Sequence, residues 1–302
     1  SRAILVQDHV GSRRLMGNRN TCTCLSQFRQ VVQATMARRK RKLQVWYPAI
    51  GPELVIRPTS EHTHTVIMLH GSYYDGKEFD DLASLVKKEA ERHGVSGSAG
   101  IKYIFPNSPL NEYGENFWYD YLANDDDEAP EMQCDNDLIS IEQWEAQTQR
   151  IADIVATEVQ ALGDARRVIL GGNSAGGTVA IHVALHHCAE PLGALLCLRT
   201  CPMRHTLGPA PPVPVTGEPD GSMLSTCKTI GIPVFVYQAG KDDTYVPALQ
   251  ARNYGFIETA GFSVWTKVKP NGKHDEDDPE ENPQVAEWIV SIFFKGDQTS
   301  GT

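Results

Sequence analysis

Gly172-Asn173-Ser174-Ala175-Gly176 is the stretch that decides the fold of this 302-residue chain. It follows the apolar run 168–170 and precedes residues 177–185, which have the composition of a helix. A strand that turns sharply into a helix needs glycine two residues either side of the apex, because a Cβ there would collide with neighbouring backbone. The pattern therefore predicts Ser174 at the apex of a strained turn, with its hydroxyl exposed above a sheet. The alternative is an ordinary glycine-flanked turn without a chemical role.

A serine hydroxyl in this position becomes a nucleophile only if a histidine takes its proton and a carboxylate orients that histidine. Downstream of Ser174, one strand-like run leads into Asp242 and Asp243, and the next leads into a loop that carries His274. The chain order Ser, Asp, His selects His274, since it follows the aspartates. Asp243 is preferred as the carboxylate, and the other aspartate would cap the next helix. His274 could instead be an exposed histidine beside the acidic run 275–278.

Strand-like apolar runs alternate with helical patterns along the chain, which predicts an α/β fold with a mostly parallel sheet covered by helices on both faces. With 41% hydrophobic residues, the chain is long enough to bury a large core, and residues 47–302 are expected to form one domain. We expect strands near 53–57, 65–70, 101–105, 167–171, 193–198, 232–238 and 262–268. We expect helices near 77–93, 140–162, 175–188, 246–260 and 283–295.

Six motifs follow one another in order over about residues 53–295. They are Thr65–Gly71, Ile101–Pro109, Phe117–Asp120, Gly171–Gly177, Gly240–Pro247 and Gly272–His274. Together they resemble the acyl-protein thioesterase family, also called the phospholipase/carboxylesterase group of α/β-hydrolases. The resemblance implies an α/β-hydrolase fold and a serine esterase or thioesterase that needs no metal or organic cofactor. It implies the catalytic residues Ser174, Asp243 and His274.

The resemblance also implies an oxyanion hole made by the backbone N–H groups of Ser72 and Ala175. The family usually has glutamine after the nucleophile, but a backbone N–H does not depend on that side chain. Tyr73 and Tyr74 stand near the position where the family usually has a second glycine and an aspartate. With Trp118, these two tyrosines are expected to bind the substrate and to narrow or reshape the acyl site.

Three functional hypotheses are open at this point. The first is a carboxylesterase, acyl-protein thioesterase or lysophospholipase, whose substrates are small-molecule esters or acylated proteins. The second is a non-catalytic relative that binds a small hydrophobic ligand. The third is a nucleic-acid-binding protein that uses a basic N-terminal segment, which the strongly acidic remainder of the chain argues against. The oligomeric state does not follow from any of them.

The segment 1–46 differs in charge from the rest of the chain. It carries ten Lys or Arg and one acid, a net charge of +9, whereas the whole chain carries −10 and the remainder therefore −19. The run 38–42 resembles a nuclear-localisation or nucleic-acid patch, and an arginine-rich, acid-poor start also fits a mitochondrial transit peptide. The plainer alternative is a basic extension that lies on the acidic body or is partly disordered. No apolar run is long enough for a membrane span, and we expect a cytoplasmic protein.

Two further features lie outside the motifs. The stretch 201–230 is long and proline-rich, and is either part of a substrate lid or a surface insertion. An acidic enlargement spans 124–137. Seven cysteines, an odd number, are expected to be free thiols in a reducing compartment. They are Cys22, Cys24, Cys134, Cys188, Cys197, Cys201 and Cys227.

Overall fold

The computed structural model describes residues 53–111, 114–120, 139–208 and 221–295. Within these ranges, seven strands form one sheet in the order β1-β3-β2-β4-β5-β6-β7. The edge strand β1 runs antiparallel to β3, and the other neighbours are parallel. The strands are β1 (Leu54–Ile56), β2 (His64–Leu69), β3 (Ile101–Phe105), β4 (Val168–Asn173), β5 (Ala194–Leu198), β6 (Pro233–Ala239) and β7 (Ser263–Lys269).

In the described residues, five α-helices connect these strands and a sixth follows β7. They are α1 (Leu82–Arg92), α2 (Ile141–Leu162), α3 (Ser174–His182), α4 (Arg204–Leu207), α5 (Pro247–Thr259) and α6 (Glu281–Val290). Helices α3 and α6 each continue as a π-helical turn, over Val183–His187 and Ser291–Lys295. The fold class predicted from the sequence, an α/β-hydrolase with helices on both faces of a mostly parallel sheet, is confirmed.

The apolar side chains of each strand divide between two cores, one on each face of the sheet. Ile67 and Leu69 of β2 pack with α2, α3 and α5, whereas Val66 and Met68 pack with α1 and α6. This division follows from the strand period of two, because successive side chains point to opposite faces. The central strands are buried on both faces, which explains why they are almost uniformly apolar.

Several predictions fall on residues outside the described ranges. These are the basic segment 1–46, the acidic stretch 124–137 and the proline-rich residues 209–220. Of the cysteines, the four in described positions, Cys188, Cys197, Cys201 and Cys227, are free thiols. Among the described helices, none is both long and apolar enough to cross a bilayer.

Candidate active site

The turn between β4 and α3 has the strained geometry that the sequence predicts. Ser174 has a φ of 49°, in the left-handed region that side chains other than glycine rarely adopt. A Cβ on Gly172 would lie 2.8 Å from the carbonyl oxygen of Leu69, and one on Gly176 would overlap the carbonyl oxygen of His70. Both positions therefore require glycine, because the turn presses β4 and α3 against the end of β2.

Ser174 ends a continuous chain of hydrogen bonds. Its Oγ lies 2.9 Å from Nε2 of His274, and Nδ1 of the same ring lies 3.0 Å from Oδ2 of Asp242. The other carboxylate oxygen of Asp242 accepts the backbone N–H groups of Thr244 at 2.9 Å and Tyr245 at 2.7 Å. A carboxylate that accepts from Nδ1–H leaves Nε2 free to accept the serine proton. The arrangement can therefore remove a proton from Ser174.

The carboxylate at His274 is Asp242, which corrects the prediction of Asp243. Asp242 is buried and Asp243 is exposed. After β6 ends, the chain makes a tight turn in which the Asp242 N–H donates to the carbonyl oxygen of Ala239 at 3.2 Å. The backbone bonds from the two residues after Asp243 hold the Asp242 carboxylate on the inner side of this turn. The next side chain in the turn then faces solvent.

His70 fixes the loop after β2 and has no contact with the hydrogen-bonded chain of Ser174. The Ser108 N–H donates to Nε2 of His70 at 2.9 Å, so Nδ1 carries the proton and donates to the Gly71 carbonyl oxygen at 2.7 Å. Burial lowers the pKa of His70 to about 4, which keeps the ring neutral at pH 7. The N–H of Tyr74 also donates to that carbonyl, at 3.3 Å. The Gly71–Ser72 peptide is thus held in one orientation.

Two backbone N–H groups near Ser174 are available to an incoming oxygen. Ala175 lies in the first turn of α3, where N–H groups have no intrahelical acceptor. The Ser72 N–H has no acceptor within the part of the chain that the structure describes. A Cβ built on Gly71 would lie 3.5 Å from the Cβ of Ser174, so the loop passes directly beside the serine. The oxyanion role of Ser72 and Ala175 stays a prediction.

Tyr73 and Tyr74 lie in the loop beside Ser174 and are exposed, with 67% and 53% of their surface accessible. Tyr73 has a φ of 71°, again in the left-handed region. Its N–H donates to the Asn116 carbonyl oxygen at 2.9 Å, and its ring meets the Phe117 ring edge-on at 4.9 Å. A large side chain in a strained conformation and in solvent is not explained by core packing.

Trp118 is not accessible to a substrate, contrary to its predicted substrate contact. It is fully buried, and its indole N–H donates to the His70 carbonyl oxygen at 2.8 Å. The guanidinium of Arg150 lies 5.6 Å above the centre of the indole ring. Trp118 therefore supports the loop after β2 from beneath.

Two charged residues at the site were missed by the sequence analysis. Arg199 follows β5 with a φ of 43°, and its guanidinium donates to the His274 carbonyl oxygen at 2.7 Å. It also forms an ion pair of 2.9 Å with Glu281 of α6, although burial raises the pKa of Glu281 to about 7. The second is Glu78, whose carboxylate accepts the N–H of Gly71, the residue before Ser72. Arg199 could have been found from the sequence, because it directly follows a predicted strand and the carboxyl ends of parallel strands meet at one edge of the sheet.

The fold and the turn at Ser174 place the protein among the α/β-hydrolases. Within that class, the chain belongs to the phospholipase/carboxylesterase family, whose model matches residues 51–211, more than half of its length. This match includes Ser174 and ends before Asp242 and His274. The similarity to lysophospholipase-like protein 1 of Mus musculus is 28% identity over 154 residues, which is 48% of this chain and 57% of the mouse protein. The matched part thus spans little more than half of that relative.

Solved structures show the same fold at low identity. SOBER1 of Arabidopsis thaliana superposes with a TM-score of 0.57 and 18% identity over 76% of this chain and 99% of the other. Acyl-protein thioesterase 2 of Zea mays gives a TM-score of 0.53 and 19% identity over 80% and 99%. The Bacillus cereus carboxylesterase superposes with a TM-score of 0.56 and 14% identity over 81% of this chain and 96% of the other.

Proposed function

We propose that this protein is a serine hydrolase that cleaves carboxylic esters or thioesters through an acyl-enzyme on Ser174. The observation that carries the proposal is the continuous chain from Ser174 Oγ through His274 to the buried Asp242, at 2.9 and 3.0 Å. Membership of the phospholipase/carboxylesterase family supports ester hydrolysis as the reaction class. The proposed substrates are small-molecule esters or acylated proteins. A lysophospholipid is the alternative substrate for the same hydrolysis.

The first step forms the acyl-enzyme. Nε2 of His274 takes the proton of Ser174 while Oγ attacks the carbonyl carbon, and Asp242 stabilises the resulting imidazolium. The backbone N–H groups of Ser72 and Ala175 stabilise the oxyanion, and loss of one such donor typically costs about 10²–10³ in turnover. His274 then gives the proton to the departing alcohol or thiol.

The second step returns the serine. His274 takes a proton from water, whose oxygen attacks the acyl carbonyl and forms a second tetrahedral intermediate at the same N–H groups. Collapse releases the carboxylic acid, and Ser174 recovers the proton from His274. The proton that leaves with the alcohol or thiol is replaced by one from water, and His274 carries both. The cycle therefore needs no cofactor.

Labelling with a fluorophosphonate probe tests this proposal. Wild-type protein is expected to label at Ser174, and His274→Ala is expected to abolish labelling, because the hydroxyl then has no base. The surface variant His93→Ala should label as the wild type does. Peptide mapping identifies the labelled residue. Failure of folded wild-type protein to label would contradict the proposal and favour a ligand-binding relative without catalysis.

Tyr73 and Tyr74 are the proposed contacts for the acyl or leaving group, and Tyr73→Gly separates that role from strain. Glycine adopts a positive φ freely, so the variant should be as stable as wild type or more stable, by about 1 kcal/mol at most. The loss of an aromatic contact of about 1 kcal/mol should lower kcat/KM for a bulky hydrophobic ester several-fold. Hydrolysis of p-nitrophenyl acetate serves as the internal control. An equal decrease for both esters would show that Tyr73 does not select the substrate.

A further inference from the structure

We propose that Glu78 is a positioning residue that couples the loop of the oxyanion donor Ser72 to the turn of the nucleophile. One carboxylate oxygen of Glu78 accepts the Gly71 N–H at 2.8 Å, and the other accepts the side-chain N–H of Asn173 at 2.5 Å. Glu78 and Asn173 are 95 residues apart in the chain. The inference rests on the proposed function, because it assigns Glu78 a role in the same site.

The two bonded groups are neighbours of the reacting ones. Gly71 immediately precedes Ser72, and Asn173 immediately precedes Ser174. The His70 ring already fixes the carbonyl side of the Gly71–Ser72 peptide, and Glu78 fixes the N–H of Gly71. A single carboxylate thus sets the spacing between the two chain segments that carry the proposed oxyanion donors. Such donors act only when they are held within a few tenths of an ångström of the developing charge.

A carboxylate suits this position because it accepts on both oxygens and donates on neither. Both partners of Glu78 are N–H donors, and a glutamine in its place would turn an amide N–H towards one of them. The short 3₁₀ turn Gly76–Phe79 fixes the side chain. Asp75 accepts the Lys77 N–H at its start, and the buried Phe79 packs against Phe105 at its end.

The groups around Glu78 shift the pKa of its carboxyl in both directions, and the pKa is raised overall. Burial raises the pKa of the Glu78 carboxyl, and the negative charge of Asp75 acts in the same direction. The hydrogen bonds from Gly71 and Asn173 and the positive charge of Arg199 act against that rise. Glu281 also faces Glu78, whose negative charge raises the pKa of the Glu281 carboxyl. A partly buried carboxylate weakens folding unless its bonds compensate, so the bonds of Glu78 are better explained by a positioning role than by a gain in stability.

Glu78→Gln tests the role, with Glu91→Gln on the exposed face of α1 as the matched control. For p-nitrophenyl acetate, Glu78→Gln is expected to lower kcat at least about ten-fold, with KM changed no more than about two-fold, because the lost interaction is made in the transition state. The control should keep both constants. Circular dichroism shows whether each variant is folded. Wild-type kcat in folded Glu78→Gln protein would overturn the inference.

The pH dependence gives a readout that a purely structural residue would not move. Protonation of Glu78 removes one acceptor, and its raised pKa means that this occurs at a higher pH than for an exposed glutamate. Glu78→Gln has no such ionisation, while all other titratable groups are the same in both proteins. The ratio of wild-type to variant kcat should therefore decrease as pH falls. A ratio that is constant with pH would overturn the assigned role of the charge.

Asn173→Ala tests the same link from its other end, and by itself it should lower kcat even if Glu78→Gln does not fold. It removes one of the two bonds and should lower kcat by less than Glu78→Gln. The double variant should lose no more than Glu78→Gln alone, because both changes break the same link. Fully additive losses, or no loss in Asn173→Ala, would contradict the coupling. Wild-type protein without any ester hydrolysis would instead contradict the proposed function, which separates the two failures.

Discussion

Replacing Ser174 by alanine is expected to lower kcat for p-nitrophenyl esters by about 10⁶. The change removes the Oγ atom, which lies 2.9 Å from Nε2 of His274. His274 and Asp242 cannot compensate, since a base without its nucleophile leaves only the contribution of binding and of the oxyanion donors. The measurement is kcat per mole of folded protein, with the concentration of each variant taken from its absorbance and its fold checked by circular dichroism.

Ser84→Ala is the matched control for this prediction, because Ser84 lies exposed on α1. Its kcat should equal that of wild type. Alanine at position 174 adopts the same positive φ, so Ser174→Ala should fold and melt as the wild type does. The expected loss is about 10⁶. If folded Ser174→Ala protein instead keeps a kcat within about ten-fold of wild type, another group is the nucleophile.

The seven described strands and five of the six described helices were predictable because each has a distinct apolar period bounded by glycine, proline or polar residues. The short helix α4 lies in the stretch 201–230, which was expected to be a loop. The helix predicted over 77–93 shows the limit of that reasoning. The structure divides it into the 3₁₀ turn Gly76–Phe79 and α1. The buried Phe79 of the 3₁₀ turn and the buried Leu82 of α1 are three residues apart. This spacing fits a 3₁₀ turn and an α-helix equally, so the apolar pattern does not distinguish the two elements. A Cβ on Gly76 would lie 2.5 Å from the carbonyl oxygen of Phe105, so the 3₁₀ turn begins where the chain passes close to β3.

The site was predictable where backbone geometry dictates the residue type. The turn at Ser174 admits glycine alone at two positions, which leaves a local signature in the sequence. Trp118 carries no such signature, because an aromatic residue after a strand serves equally at an entrance or beneath a loop. Glu78 and Arg199 act across the end of the sheet on distant segments, and no local spacing records those contacts.

Asp242 and Asp243 are adjacent in the loop after β6, and a resemblance to the family's motif does not show which of the two faces His274. Asp242→Asn is expected to lower kcat by about 10⁴, because the asparagine presents an N–H to Nδ1 of His274 and favours the wrong tautomer. Nε2 then carries a proton and cannot accept another from Ser174. The fold should change little, since the asparagine oxygen still accepts the N–H groups of Thr244 and Tyr245.

Asp243→Asn makes the same change one residue further along the chain and removes the same charge. Because Asp243 is exposed and has no contact with His274, its kcat should stay within about two-fold of wild type. Kinetics of the two variants side by side decide the register of the loop. A loss confined to Asp243→Asn would mean that the loop rearranges to bring Asp243 to His274 during the reaction. Equal losses would mean that the charge of the loop, rather than the tautomer of one histidine, governs turnover.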